Sequence, residues 1–182
     1  IIRVMNWFRQ KSHAYRQAGI FMDYASATPV LPEVKKEMEK YWSEDFYNPS
    51  AIYKEGVEVG KIVEACRTKI AQFLAVSSGS IIFTSGGTEA NTWAVRGLEN
   101  SHIIIDEMSH PSIFEAAKGI NSSIYNLEKD WSLKKNTTLV STIRPDNKIG
   151  RQVREWRKSN NSKTPILHID VSQTAQYFNV GL

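Results

Sequence analysis

Residues 81–91, Ile-Ile-Phe-Thr-Ser-Gly-Gly-Thr-Glu-Ala-Asn, are the first group whose types and spacing point to chemistry. A β-branched and aromatic run (Ile81, Ile82, Phe83) meets Gly86 and Gly87, Thr88 follows, and a helix-permissive segment then begins, Glu89 to Leu98. A strand that turns through two glycines into a helix leaves backbone N–H groups unpaired at the helix start. With the positive end of the helix dipole and the Thr88 hydroxyl, those donors can hold a phosphate. The same residues also read as an ordinary strand-to-helix turn capped by Thr88. The chain has no Gly-x-Gly-x-x-Gly and no Gly-Lys-Ser/Thr, so Rossmann and Walker-type nucleotide loops lose their main support.

Two further groups stand where strands should end. In Ser109-His110-Pro111-Ser112 the proline pushes His110 toward extended geometry and onto a loop. There its imidazole can stack on a flat ligand or shuttle a proton, or it can be incidental to a helix cap. The run from Ile166 to Val171 is closed by Asp170, with Gln173 three residues on. Alternation places Ile166, His168 and Asp170 on one face and Leu167, Ile169 and Val171 on the other. An acid at that position needs a partner: the ring N–H of a bound cofactor, a nearby arginine, or backbone donors. Gln173 is poised to reach the same ligand, whereas His168, deeper in the strand, reads as a hydrogen-bonded core residue. The four histidines are scattered and Cys66 has no sequence-near ligand partner, which argues against zinc. A Gly-x-Ser-x-Gly nucleophile elbow is also missing.

These residues need a scaffold, and the pattern predicts one. Ile20–Tyr24 reads as a short strand, and Pro32 opens a helix with Val34, Met38, Tyr41 and Trp42 as its apolar stripe. Asn48-Pro49-Ser50 is a turn. A longer helix runs to about Leu74, burying Val59, Ile62, Val63, Cys66, Ile70 and Phe73. Cys66 is thereby expected to be a small, unreactive core residue. Strands at Ile81–Thr84, His102–Ile105, Ser123–Leu127, Thr138–Ile143 and Pro165–Val171 alternate with helices at Glu89–Leu98, Pro111–Gly119 and Val153–Lys158. Apolar strands separated by helices predict an α/β domain with a largely parallel sheet, whose ligand site gathers at the carboxyl ends of the strands.

Composition sets the bounds. The 182 residues suit one domain or part of a larger one, with apolar content enough for a sizeable core. No apolar run approaches the roughly 20 residues of a membrane helix, and no signal peptide is visible, so no membrane partner is expected. A single cysteine excludes an internal disulfide framework and fits a reducing, cytoplasmic setting. The net charge of +4 is modest. Its densest basic patch, Arg151, Arg154, Arg157 and Lys158 around Trp156, reads as the solvated face of a short helix, so no nucleic acid is expected.

Taken together, the motifs resemble the cysteine desulfurases and their relatives among class V, fold-type I pyridoxal-phosphate enzymes, from about Phe21 onward. Met22-Asp23-Tyr24-Ala25-Ser26-Ala27-Thr28-Pro29 stands where the family has Leu-Asp-Asn-Ala-Ala-Thr-Thr-Pro. Asn48-Pro49-Ser50, the block from Ser85 to Asn91, His110-Pro111-Ser112 and Asp170-x-x-Gln173 follow in the family's order. The resemblance implies an incomplete three-layer α/β/α large domain with a mostly parallel sheet, residues 20–182, after an N-terminal extension, 1–19. It implies that Gly87 and Thr88 hold the phosphate of pyridoxal 5'-phosphate and that His110 stacks on the ring and moves protons. Asp170 would pair with the ring nitrogen and Gln173 with the ring hydroxyl. Asn147, in Asp146-Asn147-Lys148-Ile149-Gly150 where the family has Asn-Asn-Glu-Ile-Gly, would lie beside the ring.

The resemblance further implies a homodimer that takes sulfur from L-cysteine onto an enzyme cysteine, leaving alanine, with a sulfur-acceptor protein possible downstream. The family's Ser-Gly-His-Lys segment, with its Schiff-base lysine, and its later persulfide cysteine are not found in these residues, and Cys66 does not occupy that place. The chain starts at Ile1 and stops after an apparent strand and turn, so it is expected to be an N-terminal piece, inactive by itself. Another class V activity (aminotransferase or selenocysteine lyase) and a non-catalytic binding role are the alternatives.

Overall fold

The computed structural model describes residues 20–24, 26–98, 102–129, 131–144 and 147–175, with the backbone alone at 147. The chain divides into two compact units, Ile1–Val63 and Glu64–Leu182.

In the first unit, helix α1 (Pro32–Glu39) begins with proline at its first turn and continues into a 3-10 turn, Lys40–Trp42. Its expected apolar stripe is present, but no residue of α1 is buried: Val34, Met38 and Trp42 are exposed. Ile20–Tyr24 forms no ladder either. An amphipathic pattern makes a face, and burial requires something packed on it. The Asn48-Pro49-Ser50 turn is better fixed. Asn48 Oδ1 accepts the Ser50 N–H at 2.9 Å. The turn lies against helix α2 (Lys54–Phe73) where that helix carries glycine. A Cβ at Gly56 would come within 2.8 Å of the Asn48 carbonyl oxygen, and one at Gly60 within 2.9 Å of the Pro49 carbonyl.

α2 extends into the second unit, and there the expected buried face is corrected. Cys66 is exposed, as are Ile70 and Phe73, while Ala71 is the buried residue. Helical periodicity located the apolar residues without showing which of them would meet a partner.

The second unit is built on four parallel strands, β1 (His102–Asp106), β2 (Ser122–Tyr125), β3 (Thr137–Thr142) and β4 (Ile166–Ile169), in the order β2-β1-β3-β4. All five residues of central β1 are buried. Alternation sends Ile103 and Ile105 to one side, where they pack with Leu139, Val95 of α3 (Gly87–Arg96) and Ile113 and Ala116 of α4 (Pro111–Ala116). Ile104 and Val140 go to the other side, with Leu127, Trp131 and Ile149 and Val153 of α5 (Asn147–Ser159). This is a three-layer α/β/α arrangement with an all-parallel sheet.

Ile81–Thr84 is extended but joins no ladder, contrary to the expected strand. Arg67 holds it instead: Nη1 donates to the Ile81 carbonyl at 2.6 Å, and the guanidinium lies 4.6 Å from the Phe83 ring centroid. α5 begins earlier than expected, at Asn147. Of its basic residues, Arg151, Arg154 and Lys158 are exposed, while Arg157 is half-buried and donates through Nε to the Pro165 carbonyl at 2.7 Å.

Candidate active site

Parallel strands carry their chemistry at the carboxyl end, and here β1, β3 and β4 finish beside the start of α3. Between them lies a cleft of about 580 Å³ lined by Gly87, Thr88, Asn91, Ser109, His110, Ile143, Asp170, Gln173 and Thr174, among others. Five residues expected from the sequence (Gly87, Thr88, His110, Asp170 and Gln173) thus share one cavity. Asn147 opens α5, but its side chain lies outside the described residues, as does all of Asp146.

The start of α3 presents open backbone donors. Glu89 turns back, and one oxygen accepts the Ser85 N–H at 2.7 Å and the Ser85 hydroxyl at 2.6 Å. Those hydrogen bonds, the hydroxyl's first, hold the Glu89 carboxyl below its ordinary value. The first intrahelical bond is Ala90 N–H to the Gly86 carbonyl. The N–H groups of Gly87, Thr88 and Glu89 therefore have no intrahelical acceptor. A Cβ at Gly86 would meet nothing within 4 Å, and one at Gly87 would touch only Ser172 Oγ, at 3.6 Å. The glycine pair keeps the approach to these donors open.

Asp170 leaves β4 with its N–H on the Thr142 carbonyl at 2.9 Å. Its Oδ1 accepts the Ser172 hydroxyl at 2.6 Å and the Ser172 N–H at 3.1 Å, and its Oδ2 accepts Asn91 Nδ2 at 2.9 Å. Burial pushes this carboxyl up. The Ser172 hydroxyl, the Asn91 amide, the Ser172 N–H and His168 outweigh burial and leave it below the ordinary value. His168 is half-buried with Nδ1 on Ser141 Oγ at 2.9 Å, and burial lowers its pKa against the opposing pull of Asp170. His110 caps α4: its Nδ1 accepts the Ser112 N–H at 3.2 Å and lies 2.8 Å from Ser112 Oγ.

Two buried hydroxyls of the lining residues, Ser109 Oγ and Thr174 Oγ1, have no hydrogen-bond partner among the described residues. Buried orphan hydroxyls are uncommon, and two in one cleft are what a polar ligand site presents. Sequence reasoning missed both, and it missed Asn91 and Ser112. A signal existed for Asn91, since three residues after Thr88 on a helix is the same face. Also missed was a closed ion pair beside the cleft. Asp106, fully buried at the end of β1, accepts Thr142 Oγ1 at 2.9 Å and Arg144 Nε at 3.1 Å, and Arg144 also pairs with Glu128. Among the described residues no three His, Cys, Asp or Glu side chains gather as metal ligands, and no helix is long and apolar enough to cross a membrane.

Comparison with known proteins agrees with this fold. The cysteine desulfurase IscS of Dictyoglomus turgidum is 30% identical over 185 aligned positions, which cover 90% of this chain and 47% of that protein. The chain spans about half the length of the curated relatives it matches. Among solved structures, a NifS-like protein superposes with a TM-score of 0.69 at 26% identity, covering 82% of this chain and 48% of that one. A C-DES variant with glycine covalently linked to its PLP cofactor has the same fold, with a TM-score of 0.62 at 16% identity, over 82% of this chain and 45% of that one. The Aminotransferase class-V profile matches residues 20–181, and the chain belongs to that family.

Proposed function

We propose that this chain forms the cofactor-binding part of a pyridoxal-phosphate-dependent cysteine desulfurase. One observation carries the reading: helix-start donors with no intrahelical acceptor, a carboxylate held below its ordinary pKa and an imidazole come from three separate elements into one cleft. The donor set suits pyridoxal phosphate, and the orphan hydroxyls of Ser109 and Thr174 add polar capacity to the same wall. The N–H groups of Gly87 and Thr88 would hold the phosphate. Asp170 would face the ring nitrogen and His110 the ring, with Gln173 at the ring hydroxyl and Asn147 nearby. When bound, the group supplies an electron sink for the pair released as a bond at the substrate's α-carbon breaks. Asp170 would keep a proton on the ring nitrogen. His110 would cover the ring and offer its Nε2 for proton movement.

The desulfurase reading, rather than another class V activity, is supported by the named sequence relatives, because the fold alone also serves other chemistry. The whole enzyme would work in the cytoplasm as a homodimer, moving sulfur from L-cysteine to an enzyme cysteine, with alanine as product and a sulfur-acceptor protein downstream. Residues 20–182 would be part of its large domain and 1–19 an extension. The 182 residues alone hold neither a Ser-x-His-Lys segment nor a cysteine at the cleft, so by themselves they would bind the cofactor without turnover. Titration of pyridoxal phosphate into the wild-type chain and Asp170→Asn tests this reading. Saturable binding by wild type that weakens in the variant is expected; equal, negligible binding by both would overturn it.

A further inference from the structure

Asn91 lies three residues after Thr88 on α3 and is 4% exposed. Its Nδ2 donates twice, to Ser112 Oγ at 3.0 Å and to Asp170 Oδ2 at 2.9 Å. Those acceptors belong to α4 and to the end of β4, so one amide ties together three elements that are far apart in sequence.

The direction of every bond in this group follows from the inventory of donors. The Ser112 N–H donates to His110 Nδ1, so that nitrogen carries a lone pair and the ring proton sits on Nε2. Ser112 Oγ already accepts from Asn91, which leaves its own hydrogen for Nδ1 at 2.8 Å. Asp170 can only accept, so the Asn91 amide is oriented with nitrogen toward both neighbours. With Oδ2 engaged by Asn91 and Oδ1 by Ser172, the carboxylate cannot rotate freely and keeps its remaining lone pairs for the cleft. An uncharged amide holds the group without titrating itself.

We propose that Asn91 is a positioning residue of this site, setting the orientation of the Asp170 carboxylate and, through Ser112, the Nε2–H tautomer of His110. This deepens the cofactor reading above and rests on it for the identity of the ligand, while the hydrogen-bond chain needs no ligand to exist. The titratable groups facing Asp170 are His168 on its own strand and, through Ser112 and Asn91, His110 at the start of α4. α3 presents only the amide. Without that amide, burial pulls the carboxyl upward with one opposing hydrogen bond fewer, and the Ser112 hydroxyl is free to turn away from His110.

The test uses the 182-residue chain with and without pyridoxal phosphate. In ligand-free protein, carbon-13 NMR follows the Asp170 carboxyl and nitrogen-15 NMR the His110 ring across pH, in wild type, Asn91→Ala and the isosteric Asn91→Asp. Both variants should move the Asp170 titration to higher pH, the second more, because it sets a like charge beside Asp170. Both should also raise the Nδ1–H tautomer of His110. Ser112→Ala should disturb the tautomer and leave the Asp170 titration nearly in place. Pyridoxal phosphate should bind Asn91→Ala about ten- to a hundred-fold more weakly, the scale of losing a hydrogen bond to a charged group.

An unchanged titration and an unchanged tautomer in Asn91→Ala of native circular dichroism would overturn the proposal. Should the alanine variant not fold, the isosteric variant decides by the same two readouts. Both NMR changes without any wild-type cofactor binding would sink the cofactor reading and leave the positioning role standing. Wild-type binding with no NMR change would do the reverse.

Discussion

The two ends of the parallel sheet are both polar, and they treat their polar groups in opposite ways. At the amino end His102 is fully buried at the start of β1, its Nδ1 3.0 Å from Thr137 Oγ1 and its Nε2 3.0 Å from Ser123 Oγ. Lys134 donates its N–H to the same Thr137 hydroxyl at 3.1 Å, and Thr138 donates to the His102 carbonyl at 3.1 Å. Each group there is used up by a neighbour. At the carboxyl end the start of α3 has N–H groups with no intrahelical acceptor, and two buried hydroxyls have no partner among the described residues. A closed polar cluster fixes the positions of strands, whereas an open one retains capacity for a ligand. Asp106 and Asp170 repeat the contrast within the carboxyl end. Asp106 is fully buried and closed by Thr142 and Arg144, while the half-buried Asp170 lines the cleft.

This contrast is most sharply broken at Asp106. Asp106→Ala leaves Arg144 without its buried partner, and urea denaturation should show a loss of roughly 3 kcal/mol. A loss under about 1 kcal/mol would mean that this carboxylate is not the closed, structural one. His102→Ala should cost less, about 2 kcal/mol, by orphaning hydroxyls at the amino end. A folded variant should still bind pyridoxal phosphate as wild type does, and weaker binding would show that the two ends are coupled.

Acid comes next in size. Burial first, and the Lys134 charge second, lower the His102 pKa, and burial lowers that of His168. Histidines that fold neutral contribute stability above the ordinary histidine value of about 6.5, and it is lost as pH falls below it. Asp170, held below its ordinary value, adds a second loss only where pH falls past the usual carboxylate range. Denaturation midpoints from pH 8 to pH 3 should therefore drop in two stages, and a flat profile between 7 and 5 would refute the closed amino end. The smallest effect concerns Cys66. Exposed on α2, it should react fully with a thiol reagent in the folded chain, and Cys66→Ser should change stability by about 0.5 kcal/mol or less.

Much of the scaffold was legible in the sequence because its signals are local. The β-branched runs of β1, β3 and β4, the proline-led starts of α1 and α4 and the Gly86-Gly87 break each act within a few residues. Burial was not legible in the same way. Cys66, Ile70 and Phe73 follow a helical stripe on α2 yet stay exposed, whereas Ile149 and Val153 on α5 are buried against the sheet. A stripe records a preference; only a facing element converts it into a core. For the same reason Ile81–Thr84 has strand chemistry without strand pairing, since a ladder is a property of two segments.

By itself the sequence determined the order of the four paired strands and the helices between them, the parallel α/β class and the residue types set at strand ends, because backbone propensity and side-chain alternation act over short range. It also carried Gly87, Thr88, His110, Asp170 and Gln173 as candidates. The tertiary structure alone decided that these five share one cleft and that Asn91 reaches partners 21 and 79 residues away. It alone closed Asp106 against Arg144, across 38 residues, while leaving Asp170 at the cleft. Hydrogen bonds are satisfied through space, and which donors remain open depends on every element folded around them.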